Sequence, residues 1–333
     1  MADLKMACFG SFNTALPSIK VLNLESNQLF NLIPMSTETH SLPPPSNEQA
    51  YMYVSALEAG HLNVPLSLMA VNQSDDPISF PSLAFFLRHS KSNKRVVFDL
   101  GIHRNIKEFA PAAIPVVPDV KQTAAESLDA GGVPPSSVDL VVLSHLHWDH
   151  VGDPSPFTTA EFILGEGSKQ AFLDPSSCHS PISFSSIRPP EDRLRFLTAS
   201  DLNVAIGPYP HAMDIFGDGS LYIVDASGHA DGHINILART SQDGAWILLG
   251  ADSAHHPDLI TGKMRVACSV DATTGVVTCA HQYKVVADEN IRRMRSLLEI
   301  PRVQVLVAHD IVWYEQNKGK EVFLPYTIPP LVY

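Results

Sequence analysis

Residues 144–150, SHLHWDH, place His145, His147, Asp149 and His150 within six consecutive positions. At this chain's own frequencies of His and Asp, the pattern H-x-H-x-D-H arises by chance in roughly one in several hundred sequences of this length. It constrains the fold because burying three imidazoles and a carboxylate without a cation would demand a hydrogen-bond partner for every polar atom. The run just before it, VDLVVL at 138–143, is continuous and β-branched, as expected for a strand covered on both faces. A buried sheet edge and a concentration of ligand chemistry therefore meet at one place.

Other segments extend the same organisation. LAFFLRHSKSNKRVVFDLG reads as two strands, about 83–88 and 95–99, joined by a polar turn into a hairpin. Residues 119–130 carry Val120, Ala124, Ala125 and Leu128 at helical spacing before Gly131-Gly132. Residues 221–224, 233–239, 245–250 and 303–308 read as further strands, with SQDG as the turn between the middle two, and 288–300 as a helix. This alternation predicts an α/β protein with one sheet region per half. The Ser-, Thr- and Pro-rich stretch 36–49 predicts a flexible connector or meandering surface segment. The chain thus divides into a partly flexible N-terminal extension, 1–49, and a folded domain, 50–333.

Composition narrows the class of partner. A net charge of -12 without a Lys/Arg run disfavours a grip on nucleic acid or an anionic membrane, so a small or neutral substrate is expected. No signal peptide is legible at the N-terminus and no apolar run approaches the roughly 20 residues of a membrane span, so a cytoplasmic location is expected. Cys8, Cys178, Cys268 and Cys279 form no C-x-x-C pair and read as free buried thiols. Cys268 and Cys279 also flank a candidate hairpin, where a bridge would be surprising in a reducing compartment. Nothing in the sequence speaks to oligomeric state.

Four expected strand ends deliver metal-type ligands: His145, His147, Asp149 and His150 after the first, His229 and His233 in GHADGH, Asp252 after AWILLG, and His309 after VQVLVA. Loops held at a sheet edge are where binding groups usually sit, and imidazole with carboxylate suits zinc or a neighbouring divalent metal. Side chains at 145 and 147 point the same way in an extended segment and can clasp one ion. Asp149 and His150 project differently, toward a second. Asp252 is the candidate carboxylate to bridge the pair.

HLHWDH, followed in order by SGHADGH, GAD and AHD, resembles the metallo-β-lactamase superfamily, especially two-zinc hydrolases such as N-acyl-homoserine lactonases and glyoxalase II. The resemblance covers about residues 52–325. It implies an αββα sandwich of two similar halves with two Zn2+ ions at one edge of the facing sheets. It implies His145, His147 and His229 on the first ion, Asp149, His150 and His309 on the second, and Asp252 between them. Within GHADGH it makes His233 a hydrogen-bonding support, and Asp99 in FDLG the carboxylate that orients a ligand histidine. Two positions depart from the lactonase pattern: His255 stands where those enzymes carry Tyr, and Ser227-Gly228-His229 replaces Pro-Gly-His.

The expected chemistry is opening of a lactone or a related ester by a metal-bridging hydroxide, with Asp149 or Asp252 relaying a proton and His255 facing substrate. Thioester cleavage by the same machinery is the alternative. A glutathione thioester would call for cations near the site, for which Lys263, Arg265, Lys284, Arg292 and Arg293 are the candidates. Nuclease activity is disfavoured by the acidic balance, and iron redox chemistry by His147, where flavo-di-iron relatives carry Glu. A binding protein that had merely kept the fold would have lost ligands, yet all seven stand here. Trp148 and Phe157 are candidate pocket walls, with core packing the simpler role for Phe157. His40, His61, His89, His103, His179, His211 and His281 read as surface or capping residues, and Asp310 as a residue that orients a loop or ends the strand.

Overall fold

The structure, a computed structural model, describes residues 40–105, 117–174, 187–270 and 277–332. In chain order the first half contains β1 (Met52–Leu57), β2 (His61–Pro65), β3 (Pro77–Pro81), β4 (Ala84–His89), β5 (Arg95–Phe98), β6 (Val117–Asp119), α1 (Ala124–Ala130), β7 (Leu140–Val142), α2 (Trp148–Val151), β8 (Glu161–Gly165), α3 (Lys169–Leu173) and β9 (Leu194–Leu197). The second contains β10 (Val204–Ile206), β11 (Tyr209–Asp214), β12 (Leu221–Asp225), β13 (Ile234–Arg239), β14 (Trp246–Leu249), α4 (Pro257–Thr261), β15 (Cys268–Val270), β16 (Val277–Cys279), α5 (Lys284–Leu298), β17 (Val303–Leu306) and α6 (Ile311–Asn317).

Two six-stranded sheets result, in the orders β1-β4-β5-β7-β8-β9 and β10-β11-β12-β13-β14-β17. One unit recurs in both halves. An antiparallel hairpin, β4–β5 or β13–β14, is followed by a connection through a helix to a strand that pairs parallel, β7 or β17. The alternation of side chains along each strand explains the layers. Val96 and Phe98 join Ile223, Ile236, Leu249 and Leu306 in the core between the sheets. Val97, from the opposite face of β5, packs with Leu128 of α1 and Phe172 of α3. Leu237, from the opposite face of β13, packs with Ile260 of α4 and Met294 of α5. Helices thus cover both outer faces, giving the αββα order, and each fully buried Leu, Ile or Phe contributes about 1.5–3 kcal/mol.

Element boundaries differ from the sequence reading where capping decides them. The helix expected from 119 begins at Ala124, because Thr123 and Glu126 form a reciprocal capping box there, while Val117–Asp119 pairs as β6 with β2. The three strands β3-β2-β6 make a small separate sheet. Trp148 packs there with Leu62, Val64, Met69, Phe80 and Ile102 and is 7% exposed, so it is core rather than a pocket wall. Phe157 is buried beneath the first sheet.

Cys268 and Cys279 face each other in the β15–β16 ladder and are joined by a disulfide, which corrects the expectation of free thiols. Directly opposed residues of an antiparallel pair lie close enough for such a link, here 4.4 Å between Cα atoms. Cys8 and Cys178 lie outside the described residues, as do residues 1–39 of the expected extension. Residues 40–49 follow the body, with the Pro43 carbonyl accepting from Arg239 Nη2 at 3.0 Å. Among the described residues no helix is long and apolar enough to cross a membrane.

Candidate metal centre

The site lies at the C-terminal ends of β5, β7, β14 and β17 and in the loop between β12 and β13. β5 ends at Phe98, and Asp99 follows in a left-handed conformation with φ of 59°, buried beneath the loop after β7. Its Oδ1 accepts from the Ser144 backbone N–H at 2.7 Å and its Oδ2 from the Ser144 hydroxyl at 2.8 Å. The same Oδ2 stands 2.8 Å from His150 Nδ1. Asp99 therefore takes the orienting position that the resemblance implied. His147 is the N-cap of α2, and the helical turn carries Asp149 and His150 inward.

These contacts fix the imidazole tautomers. His150 Nδ1–H donates to Asp99. The Ser144 hydroxyl gives its proton to Asp99, so it accepts from His145 Nδ1–H at 2.9 Å. His309 Nδ1–H donates to the Pro81 carbonyl at 2.8 Å. Three Nε2 lone pairs are left facing inward, and what they meet is a carboxylate. Asp252 Oδ1 is 3.2 Å from His150 Nε2 and 3.1 Å from His309 Nε2, while Oδ2 is 3.4 Å from His229 Nε2, 3.3 Å from His255 Nε2 and 4.0 Å from His145 Nε2. His145 Nε2, His150 Nε2 and Asp252 Oδ1 are buried without a hydrogen bond. Acceptors converging on acceptors in a buried site need positive charge between them, from a metal ion or, without one, from protons on His150 and His309.

The residues present fit metal ions. His145, His147, His229 and Asp252 form one set of convergent ligand atoms, and Asp149, His150, Asp252 and His309 another, with Asp252 common to both. His147 Nδ1 lies 3.0 Å from His229 Nε2, and Asp149 Oδ2 lies 3.5 Å from His309 Nε2. All seven residues singled out in the sequence are thus brought together. Burial holds His145 and His229 well below the ordinary imidazole range and His147 down to about 4, keeping them in the neutral, ligating form. Burial acts the same way on His150 and His309, but Asp252 and Asp149 outweigh it and raise both. Burial likewise works against ionised Asp252, yet His150, His309 and His255 hold it well below the carboxylate range.

Three histidines depart from expectation. His233 makes no side-chain hydrogen bond. Its ring packs 5.0 Å from that of His145 and only its backbone closes the loop, donating to Ala230. His281, read as a surface or capping residue, is 2% exposed and joins His229 and His255 in a further convergent set. A single histidine outside any motif carried no signal of this. His89 is buried rather than superficial, pairing with Asp218 and accepting from Ser92 N–H. His255 stands against Asp252 as described. Asp310 caps α6 by accepting from Trp313 N–H at 2.8 Å. Lys263, Lys284, Arg292 and Arg293 each pair with a nearby carboxylate.

Residues 79–164 match the metallo-beta-lactamase superfamily. The chain is 32% identical to a gamma-lactamase, MBL2, of Gibberella moniliformis, over 48% of this chain and 71% of that protein. It is 31% identical to a metallo-hydrolase, mfmC, of Annulohypoxylon moriforme, over 66% of this chain and 62% of that one, so it spans about three-fifths of that relative's length. Among solved structures, a quorum-quenching N-acyl homoserine lactone lactonase superposes with a TM-score of 0.60 at 16% identity, covering 86% of this chain and 100% of the other. The chain belongs to the metallo-β-lactamase superfamily.

Proposed function

We propose that the chain is a hydrolase that opens a lactone or cleaves a related carboxylic ester, using two zinc ions held by the seven residues described. The observation that carries this reading is Asp252, whose two oxygens face two different groups of imidazoles. A protein that only stored metal would have no need to hold two ligand sets on one carboxylate. Zinc so bound supplies Lewis acidity toward a carbonyl and lowers the pKa of water to about 7.

The chain's own residues orient and exclude. Asp99 and Ser144 hold His150 and His145 in single tautomers, and Pro81 does the same for His309. Asp149 offers a carboxylate at the margin of its set, suited to carrying a proton to the leaving oxygen. His255, in the place of the lactonase Tyr, offers an imidazole N–H to the substrate carbonyl. The lactonase and lactamase names of the relatives support a cyclic carbonyl substrate. The pairing of four of the five candidate cations with local carboxylates weighs against a glutathione thioester. The Cys268–Cys279 disulfide persists best in oxidising surroundings and so weighs against a cytoplasmic location.

The test is a panel of γ-lactones, N-acyl homoserine lactones, open-chain esters, γ-lactams and thioesters, assayed with zinc-replete full-length protein by proton or thiol release. Turnover of lactones above the rest is expected. Thioester turnover without lactone turnover would replace this reading with the alternative.

A further inference from the structure

His229, His255 and His281 form a triangle of buried rings beside the Asp252-centred sets. Their centroids are 5.0 Å apart for His229–His255, 5.4 Å for His229–His281 and 5.0 Å for His255–His281. A zinc-type ion about 2.0–2.1 Å from a ring nitrogen lies about 3.2 Å from that ring's centroid, so tetrahedral spacing puts two ligand rings about 5.2 Å apart. The observed triangle matches that spacing. His229 Nδ1, His255 Nδ1 and both nitrogens of His281 are buried without a hydrogen-bond partner. So many unpaired imidazole nitrogens converging in a buried place would be costly unless something ligates them.

The backbone builds the triangle deliberately. Gln282 N–H donates to the His229 carbonyl at 3.0 Å and Tyr283 N–H to the Gly228 carbonyl at 2.8 Å, strapping the segment after His281 onto the His229 loop. Two residues before His281, Cys279 is covalently tied to Cys268. His255 is set from the other side, its Nε2 3.3 Å from Asp252 Oδ2.

We propose that His229, His255 and His281 constitute a third metal-ligand set, taking a divalent transition-metal cation that accepts three imidazole nitrogens, such as Zn2+ or Co2+. It shares His229 with the first set. An imidazole serves two ions only by presenting Nε2 to one and Nδ1 to the other, so filling the third set alongside the first releases the remaining His229 ring proton to solvent. The set contains no carboxylate and adjoins other cations, so it is the weakest of the three. Through His229 the proposal rests on the hydrolase reading's first ligand set, and a cation held in the third set would withdraw His255 from the substrate carbonyl.

The experiment is Co2+ titration of chelator-stripped full-length protein, followed by visible absorption and elemental analysis, for wild type, His281→Ala and His255→Ala. Wild type is expected to take up one equivalent more than either variant, that equivalent binding at least about tenfold more weakly than the others. Equal stoichiometry and affinity in wild type and His281→Ala would overturn the proposal. So would loss of every equivalent in both variants, which would make these residues supports of the Asp252-centred sets. Should His281→Ala not fold, His255→Ala is read by the same criteria. Asp252→Asn separates this result from the hydrolase reading: it should lose the tight equivalents and keep the weak one, and its loss of the weak one alone would overturn the proposal.

Discussion

The two halves contribute to the site in opposite ways. From the first sheet, one loop after β7 delivers His145, His147, Asp149 and His150 within six residues. From the second, His229, Asp252 and His309 arrive singly, each from a different connection. The halves nonetheless place comparable groups at comparable points. Asp99 follows β5 and Asp252 follows β14, the second strand of the hairpin in each repeated unit. The His145 loop follows β7 and His309 follows β17, the parallel strand of each unit. In one half the carboxylate has become a support that hydrogen-bonds Ser144 and His150, and in the other it faces the imidazoles itself. A repeated backbone unit can therefore carry two different uses of the same residue type.

That difference sets the largest expected effect. Asp252→Asn removes charge from both ligand sets at once, so metal content should fall in both and turnover on a responsive substrate should drop by more than the roughly 10–100-fold expected for losing a residue that only orients a ligand. Asp99→Asn removes no ligand from either set and acts only through His150 and Ser144. It should weaken metal retention and turnover by only about 10–100-fold, the usual consequence of losing a residue that orients a ligand. Elemental analysis and kcat at matched metal occupancy compare the two. Equal effects would break the distinction between the two carboxylates.

The same contrast explains what the sequence disclosed. The first half's ligands were legible because they are local: a strand, then H-x-H-x-D-H, with the i, i+2 spacing already showing which side chains share a direction. Asp252 and His309 were legible as residues at strand ends, given the order of the resembling motifs. Ser144 sat inside the quoted segment without an assigned role, since only the fold reveals that it lies between Asp99 and His145. His281 had no motif and no period to betray it. It reaches the site through the β15–β16 hairpin and through backbone bonds from Gln282 and Tyr283 to the His229 loop, the latter joining segments far apart in sequence. The helix over 119–130 was overextended because apolar spacing continued past the point where Thr123 caps it. The place of Trp148 is not legible because the small sheet that receives it pairs β2 with β6, strands far apart in sequence, and no local pattern announces that pairing.

A smaller effect sharpens the comparison at the His229 loop. Where the first half holds its ligands on one turn, the second relies on packing between distant segments, and Gly228 is one of the places where that packing is tight. Its φ is +139°, and a Cβ there would stand 2.6 Å from the Ala287 backbone nitrogen at the start of α5. Gly228→Ala should cost about 1–3 kcal/mol through backbone strain and should also displace His229. Denaturant midpoints with and without zinc separate these consequences: a loss of stability with unchanged metal affinity would mean that the loop does not carry its ligand with it.

The smallest expected effect concerns the caps. In the first half α1 is capped by Thr123, which does not titrate. In the second, α4 begins beside the Asp252 turn and is capped by His256, whose Nδ1 accepts from Asp258 N–H at 3.1 Å and must be unprotonated to do so. Burial holds His256 below the ordinary imidazole value, against an opposing pull from Asp258. The folded chain therefore resists a proton that the unfolded chain accepts. The contribution to stability is full above the unfolded value of about 6.5 and is lost as pH falls through the depressed folded value. Asn supplies a capping oxygen that does not titrate in this range. His256→Asn should thus match wild type near pH 7 and lose less stability than wild type between about pH 7 and pH 5, measured as the urea midpoint at each pH. The other buried histidines titrate in both proteins, so the difference between the two curves isolates the cap. Superimposable curves would show that α4, like α1, is held by a cap indifferent to pH between about pH 5 and 7, and would remove this asymmetry between the halves.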